Sequence, residues 1–425
     1  MKRSALTITI IVGISTLIQI ITQIVVTQLF GAKFKLDVFL AAVVIPTIIV
    51  STVYSTLSDV LIPLLKHEKK KDIPSYILST AVYLGSIGIV LAIILNLFSR
   101  DVVVLLYGAR NSNFINLTTV YLKYMSYSIP LALINVVFGS YLYSQKKFIG
   151  FPAVQLLGTI LGLGLTVWLA PTMGIMSLII AFFASLIIQF PFIFPNVKKV
   201  SLTFRGSKIG LLLLSWIPLI ISAFAVRSDN LIMRSFSSHL AEGYIVYVNL
   251  AAKLFAAAVG IMTIGIQTVF LPHLVDLIHS KKLEKIQTQV LKAKFAAWIV
   301  SVGVIGFILV VAPFFMRLIL VGGKFSSSDV EKLIAIFPYF IIPALGWGVS
   351  QIYFQPLIAL RKQHQLAFLN VGALLVAWPI ATIVSNSYGD LYAITAGLIV
   401  LLFTGIIGAE ILWTRERKLL QASHK

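Results

Sequence analysis

Cysteine is absent from this chain of 425 residues. Its absence excludes disulfides, thiol nucleophiles and cysteine-built zinc sites. Charged residues are scarce too, at 11%, where a soluble globular domain carries about a quarter. Acidic residues are the scarcest, with 14 Asp and Glu against 34 Lys and Arg. The intramembrane candidates among them, Asp37, Asp59 and Asp229, are scattered along the chain and show no paired spacing for general acid and base chemistry. The histidines form no HExxH arrangement, and no P-loop is present. Nothing here points to an enzyme, a resident metal or cofactor, or ATP hydrolysis.

What the chain has instead is hydrocarbon, 59% of its residues. The apolar residues come in blocks such as 5–29, 77–99, 156–195 and 391–413, each long enough for the roughly 20 residues that span a bilayer. Lys2 and Arg3 precede the first block, but Ala5–Leu29 is too long for the apolar core of a signal peptide, so it reads as a first span. Twelve spans are predicted: 5–29, 37–65, 73–99, 116–144, 150–170, 174–195, 209–235, 241–274, 290–320, 329–359, 365–384 and 391–413.

The net charge of +20 is explained by loops rather than by nucleic acid. With a cytoplasmic N-terminus, most Lys and Arg fall in the cytoplasmic segments, at positions 2–3, 66–71, 146–147, 198–208, 281–294, 361–362 and 415–425. The opposite side holds only Lys33, Lys35, Arg100, Arg110, Arg317, Lys324 and Lys332. That asymmetry places both termini in the cytoplasm. The basic stretch from Lys281 to Lys294 is a candidate for contact with anionic membrane lipid, or a plain solvated loop.

The two halves echo one another. Val60-Leu61-Ile62-Pro63-Leu64-Leu65 closes span two, and Val269-Phe270-Leu271-Pro272-His273-Leu274 closes span eight. Span four carries Pro130-Leu131-Ala132-Leu133 and span ten carries Pro343-Ala344-Leu345. Six spans per half give a parallel repeat. The fold class is therefore an all-α polytopic membrane protein of about twelve transmembrane helices, in two pseudo-symmetric six-helix lobes around a central cleft. The lobes are expected at 1–200 and 201–425, and a chain holding both repeats is expected to be a monomer.

Four basic residues fall inside spans: Lys123, Arg227, Arg234 and Lys253. An ionisable group in hydrocarbon is costly, so it marks a cavity or a partner. Arg227 and Arg234 are seven apart, so they share a face of span seven. Asp229 lies on a different face, which sends its partner to another helix. Lys253 has Asn249 one turn before it on the same face. Four cations with one nearby acid point to an anion site; snorkelling to headgroups is the competing explanation. On span one, Thr16, Gln19, Gln23 and Thr27 form a polar stripe, suited to binding sugar or to gluing helices. Asp37, Asp59 and Asp229 are candidates for gating or ion coupling, and Asp59 also for snorkelling.

Several stretches, taken in order, resemble a known family. They are Phe30-Gly31-Ala32, Asp37-Val38-Phe39, Pro46, Ser58-Asp59-Val60-Leu61-Ile62-Pro63, Gly243 through Pro272, and Leu318 to Phe325. The chain is similar over nearly its whole length to the MurJ/MviN group of lipid-linked glycan flippases, within the MATE-like exporter superfamily. The resemblance implies alternating-access transport of an undecaprenyl-pyrophosphate-linked oligosaccharide across the bacterial cytoplasmic membrane, driven by a coupling ion or the membrane potential. It implies lipid II, or an exopolysaccharide or capsule repeat unit, as the partner. Lys253 stands where the family has a cavity arginine on its eighth helix. The family's arginines on helix one fall at Thr22 and Gln28, and its pair on helix two falls within Ile49–Thr52. Lys253 by this carry-over, and Arg227, Arg234 and Lys123 as the other intramembrane cations, are the pyrophosphate candidates; Gln19, Gln23 and Asn249, as polar residues on span faces, are the sugar candidates. The alternatives are a MATE-like ion-coupled drug exporter, whose cation cargo calls for acids in the cleft, and a membrane-embedded glycosyltransferase or polymerase.

Overall fold

The apolar blocks fold as helices because a backbone in hydrocarbon must satisfy its own hydrogen bonds. In the computed structural model, which describes residues 2–66, 73–193, 206–279, 283–360 and 362–422, there is no strand among the described residues. The loop lysines at 69–71, 198–199 and 281–282, with Arg205 and Arg361, lie outside them. Ten helical stretches are long and apolar enough to cross a membrane, and two shorter apolar ones, Met176–Phe192 and Tyr244–Gly260, stand at spans six and eight. This is a multi-pass membrane protein of about twelve spans.

The chain divides into two compact units, 1–224 with 322–325, and 225–321 with 326–425. The first contains α1 (Lys2–Phe30), α2 (Phe34–Lys66), α3 (Ile73–Leu97), α4 (Ser99–Tyr107), α5 (Ser112–Ser126), α6 (Ser128–Ser144), α7 (Gly150–Met173), α8 (Met176–Ile187) and α9 (Phe190–Ile193). It also takes most of α10 (Gly206–Arg227). Its core is built on one row of α2, with Val53, Leu57, Leu61 and Leu65 at a spacing of four. That row meets Ile77 and Leu84 of α3, Leu133 and Val137 of α6, and Leu212 and Trp216 of α10. The indole Nε1–H of Trp216 donates to Thr56 Oγ1 at 2.8 Å. These contacts carry the division past the expected 200/201 boundary, to 224/225.

The second unit contains α11 (Asp229–Ser237), α12 (Tyr244–His279), α13 (Leu283–Ile319), α14 (Ser327–Ile336), a 3-10 turn (Phe337–Phe340), α15 (Ile341–Ala359), α16 (Gln363–Tyr388) and α17 (Asp390–Ala422). Helix α15 packs on α12, α13 and α17, and α11 rests on α12 and α17. Helix α13 begins at Leu283 rather than at 290, so Lys285, with Lys292 and Lys294, belongs to the helix and not to a loop. Lys294 is buried, ion-paired with Glu410 and set over the Tyr353 ring at 4.6 Å.

The repeat has a structural counterpart within each unit. Span four breaks at Tyr127 and resumes as α6, with Pro130 at the third position. Span ten breaks at the 3-10 turn and resumes as α15, with Pro343 at the third position. Proline is tolerated in a first turn because its missing N–H has no intrahelical acceptor there, so the same sequence device starts a new helix twice.

Candidate functional site

Span seven is not one helix. It stops at Arg227 and restarts at Asp229, because Ser228-Asp229-Asn230 is a run of poor helix formers. Their side chains compete for the backbone. The Asp229 Oδ1 accepts from the Asn230 backbone N–H and from its Nδ2, both at 2.7 Å. The carboxylate is thereby fixed at the start of α11. As expected for Asp229, a partner comes from another helix: the indole Nε1–H of Trp347 on α15 donates to Oδ2 at 3.1 Å.

Five residues further along α11, Arg234 is buried, and its Nη2 donates to Asn249 Oδ1 on α12 at 3.2 Å. Asn249 is 7% exposed, and its Nδ2 is buried with no acceptor among the described residues. One turn on, Lys253 presents an exposed side chain and feels the Arg234 charge. These groups line one pocket in the second unit, of about 170 Å³, together with Asp229, Asn230, Met233 and Trp347. Its charged walls are two cations and one carboxylate, so it carries a net positive charge. A buried donor without an acceptor costs about 1–3 kcal/mol. Arg234 and Lys253 suit the pocket to an anion, with the Asn249 amide buried beside Arg234.

The structure brings together only part of what the sequence suggested. Lys253, Arg234, Asn249 and Asp229 share the pocket. Arg227 does not line it and interacts electrostatically with Asp229. Lys123 is exposed on α5, and Gln19 is exposed and Gln23 half-buried on α1; none of the three lines the pocket. Asp37 is fully buried on α2, with Arg110 at 3.7 Å, and Arg110 lies over the Phe114 ring at 4.9 Å. That pair ties α2 to the connection between α4 and α5. Asp59 is exposed on α2.

Trp347 was not singled out from the sequence, although a signal was present in Gly346-Trp347-Gly348. A Cβ on Gly346 would meet Leu402 of α17 at 2.9 Å, and one on Gly348 would strike Ser301 of α13. The two glycines let α15 pack close on both neighbours. The indole between them needs a partner for its N–H, as a buried tryptophan does.

Comparison with known proteins accords with this fold. The family model described as lipid II flippase MurJ matches residues 26–411. A probable lipid II flippase MurJ of Borreliella burgdorferi is 24% identical over 400 residues, covering 90% of this chain and 78% of that protein. A second, from Buchnera aphidicola, is 26% identical over 276 residues, 60% of this chain. The chain spans about half the length of this second relative, 53%. Among solved structures, lipid II flippase MurJ in an inward closed conformation superposes with a TM-score of 0.81 at 17% identity, over 96% of this chain and 87% of that one. An inward-facing multidrug resistance MATE family transporter of the MOP superfamily gives 0.76 at 15% identity, over 96% and 95%. The family match runs through both units, and the chain belongs to the lipid II flippase MurJ family.

Proposed function

We propose that this protein moves an undecaprenyl-diphosphate-linked glycan, with lipid II as the first substrate to test, from the inner to the outer leaflet of the bacterial cytoplasmic membrane. The observation that carries this is the pocket where Arg234, Asn249 and Lys253 converge. A diphosphate supplies the acceptors that Asn249 Nδ2 lacks and the negative charge that the two cations call for. Arg234 offers a planar fork and Lys253 a point charge, so Arg234 sets orientation while Lys253 adds attraction. The family's relatives are named for the same cargo.

Transport proceeds by alternating access. The empty pocket, with Arg234, Lys253 and Asp229 charged, bears one net positive charge; a diphosphate with two negative charges makes it net negative. An inside-negative potential then favours outward movement of the loaded pocket and inward return of the empty one. Each unit charge moved through the whole field is worth about 2.3 kcal/mol per 100 mV. The polyprenyl tail remains in lipid, where its transfer into protein would gain little.

A MATE-like exporter of organic cations shares the fold, but two cations in the pocket repel such a cargo. The test is rescue of a bacterium depleted of its own lipid II flippase, with membrane insertion checked. The wild-type chain is expected to rescue, and the Arg234→Gln, Lys253→Met double variant to fail. Equal growth with wild type and double variant would remove the pocket from the mechanism.

A further inference from the structure

Besides Arg234, Asn249 and Lys253, the pocket is lined by Trp347, Asp229 and Asn230, which a bare diphosphate has no use for. We propose that Trp347 and Asp229 read the sugar attached directly to the diphosphate, so that Trp347 is a specificity-determining residue. This rests on the diphosphate assignment above.

Trp347 is held on two sides. Its Nε1–H is fixed to Asp229 Oδ2 at 3.1 Å, and its ring stacks on Phe340, with centroids 6.3 Å apart and planes 26° apart. The glycines on either side fix its backbone against α17 and α13. The remaining indole surface lines the pocket. A rigid aromatic surface beside a carboxylate suits a pyranose, which offers an apolar C–H face and hydroxyl or amide donors at its edge.

Asp229 accepts two hydrogen bonds at Oδ1, from Asn230, and one at Oδ2, from Trp347. A carboxylate has about four acceptor sites, so Oδ2 retains one for a sugar donor. An organic cation is the other ligand that an indole and a carboxylate accommodate. Here it would meet Arg234 and Lys253 in the same pocket, so a neutral ring with donors is favoured. At about 170 Å³ the pocket lies below the roughly 300–1,000 Å³ of sites for drug-sized ligands. It therefore takes only the part of the headgroup nearest the diphosphate, and leaves the distal glycan elsewhere.

The experiment is titration calorimetry on the purified full chain in detergent. The probes are inorganic pyrophosphate, a short-chain N-acetylmuramyl diphosphate and tetraphenylphosphonium. The wild type is expected to bind the glycosyl diphosphate about tenfold tighter than pyrophosphate, which is about 1.4 kcal/mol. Trp347→Leu is expected to bring that ratio to about one while leaving pyrophosphate affinity within about twofold. Trp347→Phe, which keeps an aromatic ring in case the leucine variant misfolds, is expected to fall between. An unchanged ratio in both variants, or equal binding of both anions by the wild type, overturns the sugar assignment while leaving the diphosphate site standing. Tetraphenylphosphonium binding that depends on Trp347 also overturns it. Failure of pyrophosphate to bind the wild type would overturn the diphosphate site itself, and this inference with it.

Discussion

Arg234 Nη2 donates to Asn249 Oδ1 at 3.2 Å, and this one bond fixes which end of the amide is left over. The Nδ2 end stays buried with no acceptor among the described residues. Asn249 lines the same pocket as Arg234 and Lys253, and on the proposed reading a turn of its side chain on binding brings Nδ2 to a phosphate oxygen.

Asn249 therefore separates stability from function. Asn249→Leu removes a donor with no acceptor but leaves one Arg234 bond unmade, so unfolding temperature in detergent is expected to change little. Pyrophosphate affinity is expected to fall about tenfold or more, in line with one lost hydrogen bond to a charged group. Asn249→Asp is the sharper variant: its carboxylate pairs with Arg234 and repels the ligand. Affinity is expected to fall further, measured by the same titration.

Lys253 is expected to contribute charge rather than shape. Lys253→Met should weaken pyrophosphate binding by about tenfold or more, as expected for loss of a hydrogen bond to a charged group worth about 1.5–3 kcal/mol. Lys253→Arg should keep affinity within about threefold and flatten its salt dependence less than Lys253→Met does, since the charge persists. Binding measured at two salt concentrations checks both.

In the first unit, Asp37 and Arg110 form a pair whose carboxylate is fully buried. Removing one partner of a buried ion pair strands the other, at about 3–5 kcal/mol. Asp37→Asn and Arg110→Gln are each expected to lower the unfolding temperature. The double variant should lose less than the sum of the two, and thermal unfolding of the four proteins completes the cycle.

Gly31 and Gly323 make a reciprocal contact. Both have positive φ, +68° and +57°, and the Lys324 N–H donates to Gln28 O at 2.7 Å. A Cβ on Gly31 would lie 2.5 Å from Lys324 O, and one on Gly323 would strike Gln28 O. The obstacles are backbone atoms, so neither side can yield cheaply. Gly323→Ala is expected to lower stability by about 1–3 kcal/mol. Gly303→Ala, on α13 with nothing within 4 Å, serves as the neutral control, and thermal unfolding distinguishes the two.

Much of the fold is written in hydropathy, because a spanning helix must be apolar along its length. The helix breaks are not. Tyr127, Ser228 and the turn at Phe337–Phe340 lie inside stretches that hydropathy treats as continuous. Arg227 and Arg234 lie on either side of the break at Ser228, and only Arg234 lines the pocket. Asn249 and Lys253 lie within unbroken α12, so their spacing of four was enough to bring them together. The Arg234–Asn249 bond joins neighbouring helices, and the Trp347–Asp229 bond and the Lys294–Glu410 pair join helices distant in the sequence. A single sequence carries no record of such pairings.

The central claim is tested most directly by reconstitution. Proteoliposomes with fluorescent lipid II in one leaflet, and an inside-negative potential imposed, report arrival in the other leaflet by loss of protected signal. The account predicts transfer well above that of protein-free vesicles, and a return to the protein-free rate with the Arg234→Gln, Lys253→Met double variant. Transfer by the wild-type chain no faster than in empty vesicles, or transfer unaffected in the double variant, would contradict it.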